Sequence, residues 1–281
     1  MTRLFLPVEK AGSDKITITG DNARYLSLVL RVNPGEQLVI FDGSGYRYIC
    51  RILQVHKKEV VVEKIKKEPY SAESPVSITL AQGLPKSDKM DFIIQKATEL
   101  GVSRIIPLIT ERSQVRHTEK VERWRKIALS ASQQCGRERV PEIEEAVEIK
   151  EFLKNLHFPL QCFTATGAQP LFSKEGNTPP TPLDRGELFP PLKKGDVGGC
   201  CSIIFSEEHK ERNLKKVLTG LKDIKQITLL IGPEGGFSKD EVAAAVERGF
   251  IEASLGPRIL RTETAPIAAI SIIQFKLGDM G

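Results

Sequence analysis

A glycine-rich segment at residues 229–241 holds the densest group of residues that could bind a ligand through their backbone. It begins with a strand pattern, and Ser238 with Glu241 forms the capping box of a following helix. The loop glycines lack side chains, so the main chain can approach a ligand and expose its amides. The segment lacks the P-loop and Rossmann signatures, and an ordinary tight turn is the alternative interpretation. The glycines are Gly232, Gly235 and Gly236.

A second glycine-bearing segment, residues 255–266, also follows a strand pattern and precedes an apolar helix pattern. Thr264 is the predicted N-cap of that helix, with Pro266 in its first turn. Two such loops at strand ends of one sheet would line a common ligand crevice. The segment also carries Arg258 and Arg261, for which solvated surface charge is the alternative interpretation.

Alternating strand and helix patterns must position these two loops. From residue 76 onward, short apolar strands alternate with amphipathic helices, such as the one predicted after Asp88. This alternation predicts an α/β fold with a mostly parallel sheet. Residues 166–200 interrupt it with repeated prolines and glycines, which predicts an exposed insertion. A functional lid is the alternative for that insertion.

Residues 15–66 have the pattern of a small β-rich unit. Strands such as Lys15–Thr19, separated by turn residues, predict a compact barrel, and residues 66–76 are the predicted linker after it. A short helix is predicted from a cap at Asp21 to about Arg31. Residues 1–70 have 12 Lys and Arg against 8 Asp and Glu, which accounts for most of the net charge of +5 and suits a nucleic-acid partner.

Residue types that bind metals are present without a metal-binding spacing, so no metal site is predicted. No apolar run approaches the ~20 residues of a membrane-spanning helix. Free cysteines and the lack of a secretory signal predict a cytoplasmic protein without a membrane partner. The residues concerned are His56, His117, His157, His209, Cys50, Cys135, Cys162, Cys200 and Cys201.

The paired segments Ile231–Ser238 (IGPEGGFS) and Leu255–Ala265 (LGPRILRTETA) closely resemble the loop motifs of the ribosomal RNA small-subunit methyltransferase E family (RsmE). The resemblance extends over nearly the whole chain except residues 166–200. Arg24-Tyr25, where relatives often carry histidines, and Ser132–Gly136 depart from the family pattern, which bears on RNA contacts rather than on the cofactor. Further matching stretches are Val29–Val32, Phe41–Gly43, Gln82–Lys86, Gln95–Val102, Glu111–Ser113 and Arg137–Pro141.

This resemblance implies an α/β fold in which a SPOUT-type knotted, mostly parallel sheet domain (residues 76–281) follows a small PUA-like RNA-binding β-barrel (residues 1–70). It implies a homodimer that takes a methyl group from S-adenosylmethionine. The implied reaction is methylation of N3 of a uridine in 16S ribosomal RNA, free or within the small ribosomal subunit. The trefoil knot of this class is a rare exception to unknotted topology.

The resemblance also implies that the two loops hold S-adenosylmethionine. Uridine N3 must lose its proton, and Arg261 is the candidate to stabilise the resulting negative charge. Glu263 or Glu234 is the candidate base, with the alternative that each carboxylate only anchors its loop. The implied cofactor-binding residues are Leu230, Ile231, Gly232, Pro233, Gly235, Gly236, Leu255, Gly256, Ile259, Leu260, Arg261, Thr264 and Ala265.

Arginines are the candidates for binding RNA phosphates as a group, although each taken singly is typical of solvated surface. Two rival functions stay open at this level. One is a related enzyme of the same knotted class that acts on transfer RNA or on a ribose hydroxyl, and the other is an RNA-binding protein without catalytic activity. The candidate RNA-binding residues are Arg3, Arg24, Arg31, Arg47, Arg112, Arg116, Arg123 and Arg137.

Overall fold

The computed structural model describes residues 2–6, 13–156, 199–206, 212–221 and 223–281. The chain forms two compact units, one of Met1–Glu73 with Arg123–Pro141 and one of Ser74–Glu122 with Glu142–Gly281. The predicted insertion at residues 166–200 lies almost entirely outside the described residues.

The described strands and helices alternate along most of the chain. The strands are β1 (Thr2–Phe5), β2 (Lys15–Thr19), β3 (Gln37–Phe41), β4 (Tyr46–Val55), β5 (Glu59–Pro69), β6 (Ser77–Gly83), β7 (Arg104–Ile109), β8 (Glu142–Ile143), β9 (Val147–Glu148), β10 (Gly199–Phe205), β11 (Ile224–Ile231) and β12 (Ile251–Ala253). The helices are α1 (Gly20–Arg24), α2 (Lys89–Glu99), α3 (Val121–Cys135), α4 (Ile149–Asn155), α5 (Leu214–Thr219), α6 (Lys239–Glu247) and α7 (Thr264–Leu277).

The first unit is built on a five-stranded sheet with the order β1-β3-β4-β5-β2. Only the β1–β3 pair is parallel. The alternation of β2 places Ile16 and Ile18 in the core. Two register shifts in the β4–β5 ladder, at Ile49/Cys50 and Ile52/Gln54, increase the local twist and let the sheet curl.

Two local predictions for this unit are wrong at their boundaries. The helix begins after Thr19, with Asp21 in its first turn rather than at the cap, and it passes into a π-helical turn over Tyr25–Val29. The predicted linker begins too early, because β5 pairs with β4 through Pro69. The long-range pairing of a strand with its neighbour outweighs the charged, turn-like composition of these residues.

The second unit contains a seven-stranded sheet, with the path β12-β10-β11-β6-β7-β8 and with β9 also paired to β7. All its strand pairs are parallel, which confirms the predicted α/β fold. Parallel strands place their carboxyl ends at one edge, so the segments that follow β6, β7, β11 and β12 emerge on the same side of the sheet.

The C-terminal helix α7 packs on α2. Its buried Gln274 donates to the carbonyl oxygen of Leu100 at 2.7 Å and accepts from Ser74 Oγ at 2.7 Å. The predicted N-cap is off by one residue: Thr264 is the first helical residue, and Glu263 occupies the cap position without a side-chain hydrogen bond.

Within the described residues, no helix is long and apolar enough to span a bilayer. The same part of the chain contains no cluster of His, Cys, Asp and Glu that could hold a metal ion. Cys50, Cys135 and Cys201 are free thiols.

Candidate active site

The first glycine loop is shaped by local contacts on both of its sides. A turn closes between the Gly236 amide and the Pro233 carbonyl at 2.9 Å, and Gly236 has a φ of +66°, which favours glycine. Ser238 and Glu241 form the predicted capping box at the start of α6. The turn is tight, because a Cβ on Gly232 would lie 3.0 Å from the Gly236 backbone.

The second loop follows β12 and leads directly into α7. Gly256 has a φ of +109°, which again requires glycine. The amides of Thr264 and Ala265 donate to the Arg261 carbonyl at 2.8 and 3.0 Å, so that the end of this loop is already the first turn of the helix. Thr262 is buried and donates to the Gly232 carbonyl at 2.9 Å, which joins the two loops.

The two loops enclose a hollow with a volume of about 540 Å³. Its size and its mixture of apolar walls and backbone polar groups are typical of a site for a small organic ligand or cofactor. Predicted residues that line it are Ile231, Gly232, Pro233, Glu234, Gly235, Gly236, Leu255, Gly256, Ile259, Leu260, Arg261 and Ala265.

Three predicted residues do not line this hollow. Leu230 is fully buried in the core of the second unit, beneath the loop. Thr264 is exposed at the start of α7. Glu263 lies between lining residues of the second loop but is itself absent from the wall.

Sequence reasoning missed several residues of the wall. Phe205 is the last residue of β10 and Ser206 follows it, and no motif marks either residue. Lys89 opens α2, and no motif marks it. The missed residues are Lys89, Phe205, Ser206, Phe237, Lys239, Val242 and Ser254, whereas Pro257, Arg258 and Thr262 lie within the predicted second loop.

Lys89 links the two candidate bases. Its ammonium lies 2.9 Å from Glu234 Oε1 and 3.4 Å from Glu263 Oε2. The Glu234 carboxylate also accepts from the backbone amide of Lys86, at 3.1 and 3.3 Å. Glu263 Oε2 is buried and has no hydrogen-bond partner among the described residues. Its contact with Lys89 is therefore an ion pair without a hydrogen bond.

These contacts set the charge of the cluster. Burial acts to raise the pKa of Glu234, but hydrogen bonds from Lys89 and from the backbone amides of Glu234 and Lys86 outweigh it and hold the pKa below the ordinary 4.5. The hydrogen bond to Glu234 in turn raises the pKa of Lys89 above 10.5. Glu234 is therefore a carboxylate and Lys89 an ammonium at neutral pH.

The candidate RNA-binding arginines have different environments. Arg112 donates to the Gly235 carbonyl at 2.9 Å and lines the hollow. Arg116 donates to the Thr110 and Glu111 carbonyls at 2.9 and 2.7 Å. Exposed members of the set are Arg3, Arg24, Arg31, Arg112, Arg116 and Arg123.

Two arginines of the set are held by carboxylates. Arg47 pairs with Glu68 at 2.5 Å. Arg137 is only 3% exposed and pairs with Glu73 at 2.5 Å. The Glu73 carboxylate also accepts from the backbone amides of Glu138 and Arg139, both at 3.1 Å. Arg137 therefore helps to hold the end of α3 within the first unit.

Comparison with known families agrees with this architecture. A family of RNA methyltransferase domains matches residues 72–177 and 193–274, and an RNA methyltransferase PUA domain matches residues 18–65. The fold and these matches define an RNA methyltransferase of the SPOUT class with a PUA-like N-terminal domain.

Individual relatives narrow the assignment. Ribosomal RNA small subunit methyltransferase E of Buchnera aphidicola is 32% identical over 93% of this chain and 88% of its own length, and that of Bacillus subtilis is 30% identical over 98% and 97%. A crystal structure of the Neisseria gonorrhoeae ribosomal RNA small subunit methyltransferase E, bound to S-adenosyl methionine, superposes with a TM-score of 0.78 at 31% identity and full coverage of both chains. The chain belongs to the ribosomal RNA small subunit methyltransferase E family.

Proposed function

We propose that this protein transfers a methyl group from S-adenosylmethionine to N3 of a uridine in 16S ribosomal RNA. The observation that carries the proposal is the hollow formed by the two glycine loops, which the Thr262–Gly232 hydrogen bond holds together. The Neisseria relative is bound to S-adenosyl methionine, which supports the same cofactor here.

The walls of the hollow fit that cofactor. Phe205, Phe237 and Val242 supply apolar surface suited to an adenine ring. The glycine loops supply backbone donors and acceptors without side chains that would fill the space, since a Cβ on Gly236 or Gly256 would meet no atom within 4 Å. When bound, the cofactor supplies an electrophilic methyl group on its sulfonium.

Positive charge surrounds the hollow and suits an RNA substrate. Among the lining residues one is acidic, Glu234, and five are basic. Cations at the wall can hold phosphates and can stabilise charge that develops on the uracil oxygens. Arg261, exposed at the wall, is the proposed stabilising residue. The five basic residues are Lys89, Arg112, Lys239, Arg258 and Arg261.

The two glutamates have different proposed roles. Glu234 accepts from Lys86 and Lys89 and has a lowered pKa, so its contacts favour the role of a loop anchor. Glu263 is the proposed base that removes the N3 proton, because it adjoins the lining residue Thr262 and, among the described residues, lacks the backbone hydrogen bond that anchors Glu234.

We assign RNA binding to residues 1–70 as the PUA-like domain and methyl transfer to residues 76–281. In the first, Arg24 and Arg31 flank an exposed apolar stretch, Leu28–Leu30, on the π-helical turn. Flanking cations with apolar surface between them are suited to an unpaired RNA segment. N3 lies on the pairing edge of uracil, so the target base must be unpaired.

The protein is proposed to act as a homodimer in the cytoplasm. Apolar side chains that a second copy could cover include Phe275 and Ile259, which are 72% and 73% exposed. A knot is also part of the proposal: β12 pairs at the sheet edge while α7, which follows it, packs on α2. The chain therefore returns across the sheet past β10 and β11, and membership of the SPOUT class supports the knot.

Nucleoside mass spectrometry tests the reaction. The purified protein, small ribosomal subunits lacking the modification and methyl-labelled S-adenosylmethionine should yield labelled 3-methyluridine in 16S ribosomal RNA. Arg261→Ala should lower the rate at saturating cofactor by about a hundredfold, the cost of losing one charge-stabilising group. Label in a ribose, in another base or in transfer RNA would overturn the N3 assignment, and an unchanged Arg261→Ala rate would remove that residue from the mechanism.

A further inference from the structure

Gln82 is a fully buried polar residue behind the candidate active site. It lies near the C-terminal end of β6, in register with Ile231 of β11, and its exposure is 0%. A glutamine in this position needs hydrogen-bond partners, because an unpaired buried polar group destabilises the fold. Its partners belong to the segments that form the hollow.

The amide nitrogen of Gln82 contacts three segments at once. Nε2 lies 3.0 Å from the carbonyl oxygen of Gly83, the next residue in the chain, and 3.2 Å from the Gly232 carbonyl oxygen in the first glycine loop. It also lies 3.3 Å from Thr262 Oγ1 in the second loop. Since an amide nitrogen carries two hydrogens, these three acceptors share its donors.

The two loops therefore converge on one carbonyl group. The Gly232 oxygen accepts from Gln82 Nε2 and also from Thr262 Oγ1, at 2.9 Å. The strand end is in tight contact with the first loop as well, because a Cβ on Gly83 would lie 2.5 Å from Pro233 Cδ. Neither loop can move away from the end of β6 without breaking one of these contacts.

The amide oxygen of Gln82 takes no part in these contacts. Oε1 of Gln82 is buried and has no hydrogen-bond partner among the described residues. The donors on nitrogen therefore account for the contacts that this side chain makes.

We propose that Gln82 is a positioning residue for methyl transfer, which fixes the spacing of the two glycine loops and so the affinity for S-adenosylmethionine. This inference rests on the proposed function. Gln82 acts through Gly232 and Thr262, both of which line the hollow.

Replacing the Gln82 amide by a carboxyl group changes the number of hydrogen-bond donors while the size of the side chain stays nearly the same. In Gln82→Glu the ionised carboxylate has no hydrogen to donate and would face the Gly83 and Gly232 carbonyl oxygens. The protonated carboxyl group has one donor and can restore one contact. Burial and the facing carbonyl oxygens raise the pKa of this carboxyl group above that of a free glutamate, so lower pH favours the form that keeps a donor.

Calorimetry with S-adenosylmethionine on the full chain, from pH 6 to pH 8.5, is the test. Relative to wild type at each pH, we expect Gln82→Glu to bind about a hundredfold more weakly at pH 8.5 and to recover at least tenfold at pH 6. Gln82→Met, which has no donor at any pH, should bind about tenfold more weakly throughout. The ratio to wild type at each pH removes the pH dependence that the variants share with the wild-type protein and the cofactor.

Gln95→Glu, on the exposed face of α2, is the matched control for added charge and should bind like wild type. In turnover assays the KM for S-adenosylmethionine should rise in Gln82→Met while the KM for the RNA substrate stays unchanged. A role in fold stability alone would lower the melting temperature and leave the pH dependence of the affinity ratio flat.

The outcomes separate this inference from the proposed function. If wild type binds no S-adenosylmethionine, the proposed function is wrong. A different outcome is that wild type binds S-adenosylmethionine and both Gln82 variants bind it as tightly as wild type does, or that the ratio of Gln82→Glu affinity to wild-type affinity does not change with pH. In either case the positioning role is wrong and the proposed function stands.

Discussion

Thr262 donates a hydrogen bond from Oγ1 to the carbonyl oxygen of Gly232 across 2.9 Å. This contact joins two loops that follow different strands, β11 and β12, and it is buried, since Thr262 is only 6% exposed. The second loop continues into α7 through the contacts of the Arg261 carbonyl. A single hydroxyl group thus connects the first glycine loop to the C-terminal helix.

Removing that hydroxyl group should loosen the hollow without leaving a cavity. We expect Thr262→Val to weaken S-adenosylmethionine binding by about 1 kcal/mol, or roughly fivefold. The buried hydrogen bond to Gly232 and the longer one from Gln82 Nε2 are both lost, while the Gly232 oxygen keeps its contact with Gln82. Calorimetry measures the effect. Thr264→Val, two residues along and exposed, is the control and should bind like wild type; equal affinities for both variants and wild type would exclude the coupling.

Local signals made the two loops predictable. Ser238 and Glu241 identify the start of α6 because a capping box needs only residues three apart, and the structure has both of its hydrogen bonds. The positions of the turns are also indicated locally, because glycine is the residue that most readily adopts positive φ angles. Gly236 and Gly256 both do so. Their meeting in one hollow follows from the parallel sheet.

Contacts between distant residues were not predictable. Lys89 pairs with Glu234, 145 positions later in the chain, and nothing near either residue indicates the pair. Arg137 looks like a surface charge in the sequence, yet it is buried against Glu73. Thr264 was a reasonable N-cap by residue type, but the preceding loop already forms the first turn of α7, which moves the cap to Glu263.

The two glutamates near Lys89 should respond differently to removal of their charge. Glu263→Gln should lower the turnover rate at saturating substrates by at least about a hundredfold at pH 7, the usual effect of losing a general base. Raising the pH should shrink this deficit, because hydroxide in solution then removes the N3 proton. Steady-state rates from pH 6.5 to 9.5 measure it.

Glu234→Gln is the comparison for that experiment. The amide keeps an acceptor for the Lys86 backbone amide but loses the ion pair with Lys89, so the KM for the cofactor should rise a few-fold with little change in turnover. A Glu263→Gln deficit that stays constant with pH would mean that this carboxylate anchors its loop and does not accept the proton.

Exposed arginines of the N-terminal unit should contribute to the salt dependence of RNA binding. Replacing both Arg24 and Arg31 by Gln should reduce the slope of log affinity against log salt by about 1.4, since each phosphate contact of a single strand contributes about 0.7. Binding of a 16S ribosomal RNA fragment from 50 to 300 mM salt measures the slope. Arg248→Gln, exposed at the end of α6, should leave it unchanged.

The buried arginine gives the opposite expectation. Arg137→Gln should leave the salt slope unchanged and lower the unfolding free energy by about 3 kcal/mol, because it leaves the Glu73 carboxylate without its buried partner. The opposite result is that the salt slope of RNA binding falls in Arg137→Gln and stays unchanged when Arg24 and Arg31 are both replaced. That result would place the RNA contacts elsewhere on this unit.

A buried carboxyl group gives the last prediction, on stability. Glu138 is 2% exposed, and its Oε1 has no hydrogen-bond partner among the described residues. Burial, with the charges of Glu73 and Asp42, raises the pKa of Glu138 above 4.5. The folded state therefore holds this proton more tightly than the unfolded state, so the stability that the protonated group contributes is lost as the pH rises from 4.5 through the folded pKa.

Replacing Glu138 by Gln removes this titration and the buried charge at neutral pH. The variant should therefore match wild type near pH 4 and exceed it at pH 7 by about 1 kcal/mol, because the neutral amide replaces a carboxylate that is buried near the charges of Glu73 and Asp42. Trp124, the single tryptophan of the chain, is buried in the first unit and reports its thermal unfolding by fluorescence. Glu59→Gln, exposed in the same unit, is the control; a Glu138→Gln gain that is equal at pH 4 and pH 7 would show that packing, and not charge, is responsible.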